Sequence, residues 1–104
     1  GGIQANSDIT ALLGGVTAQG GCNDCDENSN GILLNASVNV PVGTFEAEGT
    51  CTQCGTNSNG IHLESGNGFL LTGIFNGTTD TPQGTGVLLD TNFNIPSKVN
   101  VVFT

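Results

Sequence analysis

The chain has 104 residues, nine Asp plus Glu, a single Lys, no Arg and a formal charge of −8. That length suits one domain, and with Lys98 as its only strong cation the chain lacks the several Lys or Arg that nucleic-acid phosphates or anionic membranes require. No apolar run nears the roughly 20 residues of a membrane-spanning helix, so membrane insertion of that kind is excluded too.

Gly, Asn, Thr and Ser fill almost half the chain, which disfavours long helices and favours short strands between turns. From the N-terminus, apolar residues recur with the period of two that strands require: Ile3/Ala5, Ile9/Ala11 and Val16/Ala18, then Ile32/Leu34, Val38/Val40 and Phe45/Ala47. The pattern continues through Ile61/Leu63, thins to Phe69 and Ile74, and resumes at Val87/Leu89 and Phe93/Ile95. Three strands per unit are predicted, each bounded by Gly, Asn, Asp, Ser or Pro.

The units repeat. Asn-Ser-Asn-Gly-Ile at Asn28 returns at Asn57, and Cys22 and Cys25 return as Cys51 and Cys54, all with a shift of 29 residues. A Gly-aliphatic pair opens each unit at Gly2, Gly31, Gly60 and Gly86. The rungs are therefore 2–30, 31–59, 60–85 and 86–104 of one domain, 1–104. A unit this small cannot close a core alone, but stacked units can, each strand pairing in parallel with its equivalent about 4.8 Å away. The expected fold is all-β: a parallel β-solenoid of about 3.5 rungs of 26–29 residues, right-handed by the usual hand of parallel crossovers. An antiparallel sandwich is the rival, though it gives no reason for residues 29 apart to match.

The segments Gly31-Ile-Leu-Leu-Asn-Ala-Ser-Val-Asn-Val, Gly43-Thr-Phe-Glu-Ala-Glu-Gly, Gly60-Ile-His-Leu and Leu71-Thr-Gly resemble the filamentous-haemagglutinin-like β-helices of large bacterial surface adhesins and two-partner secreted exoproteins. The likeness is a strand-turn pattern that runs the whole chain, with extra length in the Cys-bearing loop. It implies a rigid, extended fibre at the cell surface or outside the cell, and it carries over no functional residue.

The cysteines are the most specific feature. Stacking sets Cys22 over Cys51 and Cys25 over Cys54 with Cα atoms about 5 Å apart, inside the 4.4–6.8 Å range of disulfides. Bridges Cys22–Cys51 and Cys25–Cys54 are expected, in an oxidising compartment. Pairing within each Cys-x-x-Cys, a tetrahedral zinc site and free thiols are the alternatives; against zinc, the loops hold no Lys, Arg or His to favour thiolates or support the ligands.

Asp24, Asp26, Asn28 and Asn30 alternate oxygen donors ahead of Gly31, as a calcium loop does, although position twelve counted from Asp26 is Ser37 instead of Glu. Calcium is the one ion the sequence suggests; the plainer reading is a solvated turn with Asn28 over Asn57 and Asn30 over Asn59 as amide ladders. His62 and Glu64 share the outward face of one strand, with Gln4, Leu33 and Leu88 beside His62 and Asn6, Asn35 and Asp90 beside Glu64. Clustered outward carboxylates are how a solenoid binds or cleaves polysaccharide, but no cation stands near to hold developing negative charge. Glu46 and Glu48 are read as solvated surface, and Asn35 and Asn76 begin glycosylation tripeptides.

With no catalytic constellation, the expected function is structural, not enzymatic: a segment or subunit of an extracellular filament or surface adhesin. A carbohydrate module using His62, Glu64 and Asp90, engaging surface glycans, is the alternative. The chain opens on Gly1 without a signal-peptide pattern, so a processed product or a piece of a longer protein is expected. The pattern begins at full strength at Gly2-Ile3 and stops in the apolar run Val99 to Phe103, which predicts self-association end to end or further rungs of the same chain.

Overall fold

The computed structural model describes residues 2–96 and 100–104; Lys98 and Val99 lie outside the described residues. Among the described residues ten strands and no helix form, in chain order β1 (Ile3–Ala5), β2 (Ile9–Thr10), β3 (Val16–Asn23), β4 (Asn30–Leu34), β5 (Val38–Thr52), β6 (Asn59–Leu63), β7 (Gly66–Thr79), β8 (Val87–Leu89), β9 (Phe93–Asn94) and β10 (Val101–Phe103). One sheet runs β1-β4-β6-β8. The other runs β10-β7-β5-β2, with β3 also on β5 and β9 on β7. Every pairing is parallel, which excludes the sandwich and makes the molecule a β-solenoid of about three turns.

Register follows the repeat. Ile3, Ile32, Ile61 and Val87 form one ladder across the first sheet, and Ile32 and Ile61 are fully buried. In the two central rungs the expected second and third strands run together as β5 and β7, with a register shift between Val40 and Thr44 that absorbs the corner. Behind them lie Val38, Val40, Phe45 and Ala47, all at most 2% exposed. Each fully buried Ile, Leu or Phe in such a core contributes about 1.5–3 kcal/mol.

Two parity expectations are corrected. Phe69 is 51% exposed and Ile74 36% exposed, because the inward positions of their strand belong to Gly68, Leu70, Gly73 and Phe75. Glycine takes an interior place where a neighbouring rung supplies the bulk. Ile95 Cγ1 lies 3.2 Å from where a Gly68 Cβ would stand, and Gly73 is the register partner of Phe45.

The long strands do not enclose one cavity. A Cβ on Gly20 would lie 2.3 Å from the carbonyl oxygen of Gly31, on Gly49 2.1 Å from that of Gly60, and on Gly77 even closer to that of Gly86. At these three pairs the two sheets touch backbone to backbone. The pinch separates the apolar core from a narrow side lobe, where Cys22 and Cys51 are register partners and Thr79 stands next to Cys51.

Asn-Ser-Asn-Gly is the wall of that lobe, one residue per task. Asn28 and Asn57 take the left-handed conformation at φ 60° and 62°, which Asn tolerates and which turns the chain. The hydroxyls of Ser29 and Ser58 donate inward, to Asp26 O and Gly55 O, both at 2.8 Å. Asn59 Nδ2 donates to Asn30 Oδ1 at 3.2 Å, an amide ladder, and the glycine that follows makes the pinch. The third rung keeps the geometry with other residues: Gln83 turns the chain at φ 61° and Thr85 N donates to Asn59 Oδ1 at 3.0 Å.

Candidate functional site

Two places gather chemistry. The first is the outer face of the first sheet, where parallel register sets equivalent residues in rows. Gln4, Leu33, His62 and Leu88 form one row, as the sequence suggests, so His62 is flanked on both sides by leucine. Beyond it stand the amides Asn30 and Asn59, then the turn residues Asn28, Asn57 and Gln83. With Leu33, His62, Leu88, Glu64 and Thr85 these amide and turn residues line an open groove of about 430 Å³.

The sheet brings His62 and Asp90 together: Nε2 lies 3.7 Å from Asp90 Oδ2, an ion pair only when the imidazole is protonated and too long for a hydrogen bond. His62 Nε2 is buried between its leucines and has no hydrogen-bond partner among the described residues. Asp90 Oδ1 is engaged instead with Asn92 N and the Thr91 hydroxyl, each at 3.4 Å. Glu64 is half-buried in the same groove, and Asn35 accepts a hydrogen bond from the Ser65 hydroxyl alongside. The arrangement offers one imidazole, two carboxylates and a field of amides. Among the described residues it holds no Lys or Arg to stabilise an oxyanion. The amide rows were not singled out for binding from the sequence, although the repeated Asn-Ser-Asn marks them.

The second place is the thiol lobe. All four cysteines are free thiols, so neither expected bridge is present. For Cys22 and Cys51 the reason is steric. In-register parallel partners hold their Cβ atoms about 4.8 Å apart, beyond the roughly 3.5–4.5 Å that a disulfide spans. Each thiol donates across the lobe instead, Cys22 to Asn30 O at 2.9 Å and Cys51 to Asn59 O at 3.0 Å. Burial pushes the Cys51 thiol up to about 12, reinforced by the Cys22 and Cys54 sulfurs. Contact with Cys54, then burial and Cys22, pushes Cys25 up to about 12 as well. These neighbour effects link the sulfurs of the two Cys-x-x-Cys turns.

The two Cys-x-x-Cys turns repeat each other. Asp24 and Gln53 share the left-handed conformation at φ 54° and 56°, and Asp24 N donates to Thr52 O at 3.0 Å. Ser58, fully buried, ties the rungs together: its hydroxyl accepts from Ser29 N at 3.1 Å, and Thr79 and Thr81 donate to its carbonyl at 2.9 and 3.0 Å.

The remaining residues fall nearby. Asp24 and Asp26 are exposed on the rim of the lobe, Asn28 turns the chain, and Asn30 is held in its amide ladder. Among the described residues no group of three or more His, Cys, Asp or Glu is placed to hold a metal ion. Glu46, Glu48 and Asn76 are exposed on the outer face of the second sheet. The fold defines the class, a β-solenoid; the sequence matches no protein-family model, no curated protein and no solved structure.

Proposed function

We propose that this chain supplies stacked rungs of a structural β-solenoid fibre, an adhesin or filament outside the cell, built by continuing the stack at both ends. The observation that carries this reading is the contrast between equivalent residues along one ladder. Ile3 is 37% exposed where Ile32 and Ile61 are fully buried, and Phe103 is 38% exposed where Phe75 is 1% exposed. Among the described residues the outer rungs use the register of the inner ones, with β1 and β8 at the edges of the first sheet, and such parallel edges favour addition of further strands. Heterologous head-to-tail contact of this kind produces open filaments. Sedimentation across a concentration series with electron microscopy tests it: fibres with a meridional spacing near 4.8 Å are expected. A monomer at every concentration, with β1 and β10 amides protected from exchange, rejects it.

The groove over His62 favours a second reading, in which the fibre binds neutral surface glycans. Its support is the orphaned Nε2 beside rows of amides. Calorimetry with neutral oligosaccharides should give binding that His62→Ala and Asn59→Ala abolish; absence of heat with the intact chain rejects it.

A further inference from the structure

The four thiols are not equivalent. Cys22 and Cys51 are 5% and 1% exposed, and both are anchored to carbonyls that face them across the lobe. Cys25 and Cys54 are half-exposed on the turns beyond, and Cys54 makes only a marginal contact of 3.5 Å with Thr52 O.

Those turns lie one on the other. Gly55 N donates to Cys25 O at 2.9 Å. A Cβ on Gly55 would stand 2.4 Å from Glu27 N, so the backbone after Cys54 rests directly on the backbone after Cys25. Glycine following the second cysteine is what permits this approach. Both residues lie outside the strands, so their Cβ atoms escape the fixed spacing that keeps Cys22 from Cys51.

We propose that Cys25 and Cys54 form a redox-responsive pair that joins the first two rungs by one disulfide, while Cys22 and Cys51 remain thiols. The oxidant is a low-molecular-weight disulfide of the glutathione class. One cysteine, as thiolate, attacks a sulfur of the oxidant, forming a mixed disulfide and releasing one small thiol. The second cysteine then attacks the protein sulfur of that mixed disulfide, forming the Cys25–Cys54 bond and expelling the second small thiol. The pair loses two electrons and two protons, and the oxidant is reduced to two thiols.

The inference does not depend on fibre formation. It gives the first rung, whose β1 and β2 are only three and two residues long, a covalent tie to the second. The bond closes the loop from Cys25 to Cys54, which contains β4 and β5, and the amides of those strands should exchange about tenfold more slowly or better after oxidation.

The test is to treat the folded chain with oxidised glutathione, alkylate remaining thiols before and after unfolding, and map the peptides by mass spectrometry. One Cys25–Cys54 cross-link is expected, with Cys22 and Cys51 alkylated only after unfolding; Cys25→Ser should abolish it and the Cys22→Ser/Cys51→Ser pair should retain it. A bond within either Cys-x-x-Cys, a Cys22–Cys51 bond, a stable glutathione adduct or four unchanged thiols would overturn the proposal. So would tight anaerobic binding of Co²⁺ with the absorption of a tetrahedral thiolate site. Mapping the unaltered chain decides among these even if a variant fails to fold.

Discussion

Phe45 and Phe75 meet with ring centroids 5.6 Å apart and planes at 48°, although they occupy different positions of their rungs. Phe75 pairs in register with Ala47, and Phe45 with Gly73, so each large ring spreads over a small neighbour. Phe103 then stacks on Phe75 at 5.2 Å. Between β5 and β7 the core of the second sheet is thus packed by alternating volumes, as close packing favours in layers only about 4.8 Å apart.

Phe75→Ala is therefore expected to cost about 3–5 kcal/mol in urea unfolding. Ile74→Ala, one residue along but facing out, should cost less than about 1 kcal/mol. Equal losses would show that the strand's parity has been assigned to the wrong residues.

The glycine pinch makes a sharper contrast. Gly49→Ala drives a Cβ onto the Gly60 carbonyl and should cost about 3 kcal/mol or more, or prevent folding. Gly14→Ala, with nothing within 4 Å of the added carbon, should change stability by no more than about 0.5 kcal/mol. Denaturant midpoints of the two variants decide it.

How much of this was legible in the sequence differs by layer. The Ile3–Ile32–Ile61–Val87 ladder could be read directly, because the repeat fixes which residues stack and the period of two fixes which face inward. Phe69 and Ile74 were misread because glycine holds the neighbouring interior places, and hydrophobicity along one strand cannot reveal a vacancy filled from the next rung. The pinch was overlooked although Gly20/Gly31, Gly49/Gly60 and Gly77/Gly86 recur in step. At the outer groove register gives the leucines beside His62 and sets Asp90 next to Glu64, so the diagonal approach of Asp90 to His62 was not legible. The failure of Cys22 and Cys51 to bond follows from Cβ spacing, which Cα geometry does not report.

Ser58→Ala should cost about 1–3 kcal/mol, since it strands the Ser29 amide in the lobe without its acceptor. Hydrogen exchange at Ser29 reads the effect locally. Unchanged protection there would mean that the amide finds another partner.

The reduced chain should lose stability at alkaline pH. The Cys25 and Cys51 thiols titrate near 9 ordinarily and near 12 when folded. Their contribution is complete below about pH 9 and disappears as pH rises toward 12, because the unfolded chain releases those protons first. With no Tyr and one Lys, the cysteines are the main groups of the chain to titrate across that window. Urea midpoints measured anaerobically from pH 8 to 11 should fall, and Cys25→Ser with Cys51→Ser should flatten the curve; a midpoint independent of pH would contradict the cluster.

Replacing His62 by Leu should hold or raise stability by about 1 kcal/mol, since it removes a buried nitrogen without a partner and completes a leucine row. A marked loss in thermal unfolding would show that Nε2 is engaged in solution.

The contact of Gly49 with Gly60 also frees the lobe beyond it to change length. Between the second and third rungs the residue offset is 28 at Cys51/Thr79 but 26 at Ile61/Val87, so two residues vanish from the lobe while the ladders on both sides stay in register. Each rung accordingly carries an editable loop, insulated from the core by its own backbone. A peptide spliced into such a loop would be displayed along the edge of the stack, with the apolar core behind the pinch left as it is.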